Sequence, residues 1–324
     1  AVHAGAGFAE TARYNKLKPE DFPPDYEQTL WGLYDAPNYV RNLFNLPVIA
    51  YSGEEDKQKQ AADVMAEAFA AEGEELRHVI GPGMGHKYHD DSVKEIWTWL
   101  QEAWKTGRNT APESLTLQTR TLRYPKMYWL TATGLGTHWE DSRADAEWDS
   151  EKTRISVETK NLTGRQIEAP GASGDLSGYT LEIDGDSVTV DDAGFAIGSV
   201  ALEKSEDGWQ FGEGNDEVAK RPGVQGPIDD ACLSSFIVVP QSGDSPHPMA
   251  QRWIDFERQH FRKRWRALMR GSVDRREPRE VDAHHVNESN LILWGDPISN
   301  TLIAEIAGRL PIKWDANTLE IAGK

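Results

Sequence analysis

Two short segments place an acidic cluster and a histidine at the ends of apolar runs. The run that begins at Leu46 ends in the turn Gly53-Glu54-Glu55-Asp56, and the run Val79-Ile80 ends in a glycine-rich turn that contains His86. Carboxyl ends of neighbouring strands in an open α/β sheet share one edge, so Asp56 and His86 are predicted to converge. A carboxylate behind an imidazole is the arrangement that activates a serine hydroxyl for nucleophilic attack.

Other roles for these residues compete with the catalytic one. Glu54 and Glu55 are alternative acids, but only one side chain of such a tight turn can face His86, and we favour Asp56. His86 alone is also typical of a loop histidine that caps a turn. A metal site with His89 is disfavoured, because catalytic zinc usually needs three protein ligands and the motif offers no third. No metal or cofactor is predicted.

The nucleophile of such a triad has no clear place in this sequence. The α/β-hydrolase order is Ser, acid, His, with the Ser in Gly-x-Ser-x-Gly, a motif that does not occur here. The nearest imitation, Gly171-Ala172-Ser173-Gly174-Asp175, lacks the final glycine. A nucleophile elbow is therefore expected one helix and one strand before the acid-bearing strand, upstream of Ala1. On this interpretation the chain is an internal fragment that is inactive alone.

Composition narrows the class of protein. The 324 residues carry a formal charge of −18 and are 38% hydrophobic, which indicates folded structure and disfavours binding to nucleic acid. The one basic run, 262–266, is predicted to be a solvated helix face rather than a phosphate site. No apolar run reaches the ~20 residues that a membrane span requires. Cys232 is predicted to be a small buried residue and not a nucleophile. The compartment is not indicated, although export is plausible.

The fold class predicted from the residue pattern is α/β, followed by a β-sandwich-like domain and a small α/β module. Residues 1–106 alternate strands and helices, 113–215 show period-two alternation, and 216–324 return to α/β, with the last module truncated. A helix is expected from Gln58 to Ala71, and a second from Ser92, its cap, to Lys105. The second helix is expected to turn these residues inward: Val93, Ile96, Trp97, Leu100 and Trp104. The segment 161–164 is predicted to be a turn.

Aromatic side chains in the central region offer a second kind of site. Trp129, Trp139, Trp148 and Trp209 could stack on a sugar, but core packing is favoured, with Trp139 the one expected to be exposed. In the C-terminal region, Ser299 or Asn300 in the segment 295–300 is expected to cap a helix rather than to bind phosphate.

The turns at 53–56 and 83–86 resemble the end of the catalytic domain of prolyl-oligopeptidase-type (S9) serine peptidases. The opening residues 4–8 and the approach 46–48 resemble bacterial members with long C-terminal extensions, and 226–231 and 290–297 resemble such extensions more loosely. The resemblance implies Asp56 as the triad acid and His86 as the general base. Lys57-Gln58 stand where peptidase members often carry a substrate-holding Arg, which puts strict post-proline specificity in doubt.

Three functions are compatible with these sequence features. The first is a prolyl-oligopeptidase-like serine peptidase with a peptide substrate and a nucleophile upstream. The second is an esterase of the same fold that acts on acylated carbohydrate, and the third is a pseudo-hydrolase or binding scaffold without catalysis.

Overall fold

The computed structural model describes residues 1–5, 7–170, 174–190, 198–212, 219–315 and 318–321. The chain divides into two compact units, residues 1–225 and 226–324. The predicted boundaries at 106 and 113 both fall inside the first unit. Within the described residues the protein is a mixed α/β structure with several separate sheets.

The first unit opens with a parallel sheet of three strands in the order β1-β2-β3. Its strands are β1 (Val2–Ala4), β2 (Val48–Gly53) and β3 (Arg77–Gly81). The helices that accompany them are α1 (Thr11–Tyr14), α2 (Asp25–Trp31), α3 (Lys59–Ala71) and α4 (Asp90–Thr106), with a 3₁₀ segment over Ala36–Asn45. β2 is the central strand and is buried along most of its length, as its apolar sequence predicts.

Helix α4 differs from its prediction in both its start and its inner face. His89, not Ser92, is the cap residue, and its side chain accepts a hydrogen bond from the Asp91 N–H. Trp97 and Trp104 are 61% and 83% exposed, so the expectation that they face inward is wrong. The buried stripe is narrower than the sequence spacing indicated. It is centred on Ile96, which belongs to a buried cluster with Ile49, Tyr51 and Val79, and Trp99 and Leu100 pack against that cluster.

Two five-stranded sheets follow in the same unit, in the orders β11-β10-β8-β7-β4 and β13-β12-β9-β6-β5. Pairing is antiparallel throughout the described ladders except between β8 and β10. The strands are β4 (Ser114–Thr119), β5 (Lys126–Met127), β6 (Leu130–Leu135), β7 (Ser142–Asp149), β8 (Arg154–Lys160), β9 (Leu162–Glu168), β10 (Thr180–Ile183), β11 (Asp186–Thr189), β12 (Ser199–Ser205) and β13 (Gly208–Phe211). Both sheets contribute to one hydrophobic cluster.

Three of the four tryptophans of this region pack in or against the hydrophobic core, as the sequence analysis favoured. Trp129 and Trp209 are 3% and 5% exposed and belong to the cluster, and Trp148 packs against it. Trp139 is half-buried rather than exposed. These positions leave no exposed row of indole rings among the four, so the four tryptophans do not form a stacking platform together.

The predicted turn at 161–164 is wrong in extent. Asn161 alone makes the turn, with a φ of +57°, and β9 begins at the next residue. Asparagine tolerates the left-handed region because its side chain bonds locally. The Asn161 amide donates to the Thr137 carbonyl at 2.7 Å and to the Ser142 hydroxyl at 2.8 Å.

The parallel sheet and the β-rich part of the first unit are joined along strand β4. The side chains of Asn42 and Asn45, from the 3₁₀ segment, bond the backbone of Gln118 and Thr116 as a neighbouring strand would. Each asparagine donates through its amide and accepts through its carbonyl, at 2.7–2.9 Å. The sheet edge at β4 is thereby covered.

The second unit contains a parallel sheet in the order β15-β14-β16. Its elements are β14 (Phe236–Val239), α5 (Pro248–Met269), β15 (Asp274–Arg275), α6 (Ala283–Glu288), β16 (Asn290–Leu293), α7 (Thr301–Ile306) and the hairpin β17 (Ile312–Trp314) and β18 (Leu319–Ile321). Asn300, one of the two cap residues that the sequence offered, caps α7 by accepting a hydrogen bond from the Leu302 N–H. No helix in the described parts of the two units is long and apolar enough to cross a membrane.

Candidate active site

The predicted acid and histidine lie at one edge of the parallel sheet. β2 and β3 are adjacent and parallel, with Gly53 opposite Gly81, so the two chains leave the sheet side by side. The acidic turn that carries Asp56 follows β2 directly, and the loop that carries His86 follows β3. The structure therefore brings both sequence-predicted residues together, and it does so through strand register.

A network of backbone bonds holds the two loops against each other. The Glu54 N–H donates to the Gly81 carbonyl and the Glu55 N–H to the Met84 carbonyl, both at 2.9 Å. The Glu54 carboxylate also accepts from the Gly83 N–H at 2.8 Å. Glu54 is thereby committed to the glycine-rich loop and Glu55 points to solvent, which leaves Asp56 as the acid that faces the imidazole.

Gly53 is required at the end of β2 because the loops approach so closely. A Cβ at this position would lie 2.1 Å from the Gly85 carbonyl oxygen and 2.2 Å from that of Met84. Both obstacles are backbone atoms, which cannot rotate away as a side chain could. Only glycine permits this approach.

The Asp56–His86 pair has a marked asymmetry of exposure. His86 Nδ1 lies 2.9 Å from Asp56 Oδ2, and the Asp56 side chain is 5% exposed while that of His86 is 69% exposed. With Nδ1 donating to the carboxylate, the neutral ring keeps its lone pair on Nε2. No residue in the described ranges bonds Nε2, so the basic nitrogen faces outward.

The carboxylate of Asp56 is held in its ionised form. The Gln58 N–H donates to Oδ1 at 2.9 Å, and this bond is the main cause that lowers the pKa of Asp56. The hydrogen bond and charge interaction with His86 lower that pKa further, while partial burial opposes them. An ionised acid behind an exposed imidazole fixes the tautomer and stabilises an imidazolium.

Tyr51 clamps the histidine loop from inside the sheet, a role that the sequence analysis missed. The buried Tyr51 hydroxyl donates to the Lys87 carbonyl at 2.8 Å and accepts from the His89 N–H at 2.9 Å. Tyr88 stacks on the Tyr51 ring, with centroids 4.4 Å apart. A tyrosine within an otherwise apolar strand was the available signal, since its buried hydroxyl needs partners.

The same loop also reaches across β2 towards β1. The Tyr88 hydroxyl lies 3.2 Å from where a Cβ of Gly5 would stand, just past β1, and the Tyr88 and His3 rings are 5.8 Å apart. Strand β3 is two positions from β1, roughly 10 Å away at ordinary strand spacing. The loop after β3 thus folds back over the end of β2.

A second serine–histidine contact in this sheet is structural. Ser52 Oγ lies 2.6 Å from His78 Nε2, but Ser52 is fully buried and has no access to a substrate. Burial lowers the pKa of His78, which favours the neutral ring. The contact satisfies two polar groups in the interior.

The remaining sequence candidates do not join the site. Ser173 lies outside the described residues. Burial, aided by Asp229, raises the pKa of the Cys232 thiol, which disfavours the nucleophilic thiolate. His89 caps α4, and Asp91 pairs with Lys94 at 2.7 Å. In the part of the chain that the structure describes, no three His, Cys, Asp or Glu side chains are grouped as metal ligands.

No protein-family model, curated protein or solved structure matches this chain.

Proposed function

We propose that Asp56 and His86 are the acid and the general base of a serine-type α/β-hydrolase, a prolyl-oligopeptidase-like peptidase. The observation that carries the proposal is the 2.9 Å contact between a covered carboxylate and an outward-facing imidazole at the ends of adjacent parallel strands. This is the geometry of the second half of a Ser-His-Asp triad. In this proposal the adjoining two five-stranded sheets form a β-sandwich-like domain, and residues 226–324 an α/β module.

The strand order supports a nucleophile on the far side of β1. Hydrolases of this fold carry the serine, the acid and the histidine in that chain order. β1 lies at the sheet edge, and its side away from β2 pairs with no strand in the described residues. We place the serine on a strand beside that edge, in a segment that precedes Ala1. The loop that carries His86 folds back over β2 and so runs towards the β1 edge of the sheet.

The chemistry follows from the orientation of the ring. His86 Nε2 accepts the proton of the serine hydroxyl while its oxygen attacks the substrate carbonyl, and the imidazolium then gives that proton to the leaving amine. Asp56 stays ionised throughout and stabilises the imidazolium. Oxyanion donors belong with the serine in this proposal.

Labelling with a fluorophosphonate probe tests the triad. A polypeptide that extends upstream of Ala1 is expected to be labelled on serine, and His86→Ala and Asp56→Asn are each expected to reduce labelling about 10³-fold or more. His89→Ala is the matched control, since it removes an imidazole from the same loop and is expected to keep the label. Labelling that survives His86→Ala would refute the proposal.

Substrate assays on the same polypeptide separate the chemistries. Cleavage of a peptide anilide that is lost in His86→Ala supports a peptidase. Turnover restricted to acetylated sugar esters would show that the protein is an esterase and not a peptidase. If neither turnover nor labelling depends on His86, the protein is a binding scaffold without catalysis.

A further inference from the structure

Helix α5 in the second unit carries a basic face that meets the start of β15. Arg258, Arg262 and Arg266 are spaced four residues apart and so lie on one side of the helix. Together with Lys263 and Arg275 they line a recess of about 580 Å³, whose wall also includes the loop 271–273. The sequence analysis assigned the basic run 262–266 to a solvated helix face. In the structure, three residues of that run line the recess together with Arg258 and Arg275.

The recess carries a net positive charge within an acidic chain. None of its lining residues is Asp or Glu. Arg258 pairs with Asp255 at 3.1 Å and Arg275 with Glu277 at 2.6 Å. The other three lining cations, Arg262, Lys263 and Arg266, have no ion-pair partner among the described residues.

Helix stability alone does not account for this arrangement. Arg266, in the last turn, interacts favourably with the helix dipole, but Arg258 and Arg262 lie too far from the C-terminus for that effect. Like charges four residues apart repel each other and destabilise a helix. A bound anion would offset the repulsion on α5.

The lining groups also define the chemistry of the ligand. Guanidinium groups bind phosphate and sulfate oxygens through paired hydrogen bonds, and Ser272 adds a hydroxyl. No lining residue is aromatic, so nothing is available to stack on a base. The volume lies within the range of small-molecule sites.

We propose that this recess binds a small polyanion with at least two phosphate or sulfate groups. Its two possible sources are a polyphosphate and a sulfated sugar, which share the chemistry of clustered oxyanions. The proposal is independent of the hydrolase assignment, because it rests on residues of the second unit alone.

Calorimetric titration of the 324-residue chain tests the site with three probes: tripolyphosphate, a heparin-derived disulfated disaccharide and a 12-base-pair DNA duplex. Binding of one of the two small probes, weakened by added salt, is expected. Arg262→Gln/Arg266→Gln should reduce its affinity at least tenfold, since it removes two guanidinium groups that donate charge-assisted hydrogen bonds.

Arg264→Gln is the matched control, since Arg264 belongs to the same basic run and is exposed but does not line the recess. Its affinity for the small probe should change less than twofold. An equal loss in Arg264→Gln would show a nonspecific charge effect, and tighter binding of the duplex through Arg262 and Arg266 would show a nucleic-acid surface. Either result, or no binding of the small probes at millimolar concentration, would overturn the proposal. Circular dichroism checks that both variants keep their helices.

Discussion

Gly53→Ala should separate the two loops of the candidate active site. The new Cβ would lie 2.1 Å from the Gly85 oxygen, and real Cβ contacts begin near 3.0 Å, so the loops must part by about 1 Å. If the whole shift reaches the two side chains, the 2.9 Å contact between Asp56 and His86 lengthens beyond the hydrogen-bond range. Overpacking of this kind costs about 1–3 kcal/mol, and a 1 Å displacement of a catalytic group lowers a rate by about 10²-fold.

The effect is measured by urea unfolding and by ¹H–¹⁵N correlation spectra of the histidine rings. The variant should unfold at a lower urea concentration, and His86 should lose its preference for the tautomer protonated on Nδ1. Gly85→Ala is the matched control, because a Cβ there meets no atom within 4 Å. If Gly53→Ala keeps both the wild-type midpoint and the His86 tautomer, the close approach of the loops does not exist in solution and the reasoning fails.

Two further predictions concern buried and paired charges. Arg165 is fully buried and stacks on Trp209 at 3.6 Å, and its guanidinium has no hydrogen-bond partner among the described residues. Burial lowers its pKa, and the charge of Asp184 only partly opposes this. Arg165→Met should therefore stabilise the protein by about 1–4 kcal/mol at pH 7. A variant that is less stable than the wild type at pH 7 contradicts this. For Asp56, the lowered pKa means that its carboxylate stabilises the fold above about pH 4, and the contribution is lost as the pH falls through the lowered value. The difference in unfolding free energy between wild type and Asp56→Asn should be larger at pH 6 than at pH 2.5, and a difference independent of pH would argue against it.

Elements with strong periodicity were predictable, and those set by tertiary contacts were not. Helix α3 begins one residue after its predicted start and ends where expected, because its apolar spacing matches the face it buries. The inner face of α4 was misplaced because tryptophan spacing alone does not reveal which stripe the sheet covers. β9 was missed because the turn before it consists of the single residue Asn161, whose side-chain bonds to distant residues are invisible in sequence.

The candidate site likewise has features that the sequence predicts and features that depend on tertiary contacts. Asp56 and His86 were predictable, since residues that follow parallel strands meet at one edge whatever the packing around them. The choice among three neighbouring acids could be argued from the sequence but depends on contacts that only the structure shows, chiefly the bond from the Gly83 N–H to Glu54. The tyrosine within the apolar strand signalled that the Tyr51 hydroxyl needs partners, but their identity depends on how the loop after β3 returns over the sheet.

The arrangement also shows what holds the pair together. An ion pair with a solvent-exposed partner contributes only about 0–1 kcal/mol, so the Asp56–His86 contact is too weak to fix two loops. The backbone bonds from Glu54 and Glu55, together with the Tyr51 clamp, fix them instead. The loops position the pair and not the reverse, which is the condition for preorganised catalysis. It follows that Asp56→Asn should leave both loops in place, so a loss of labelling in that variant would report on the chemistry of the carboxylate and not on a collapsed site.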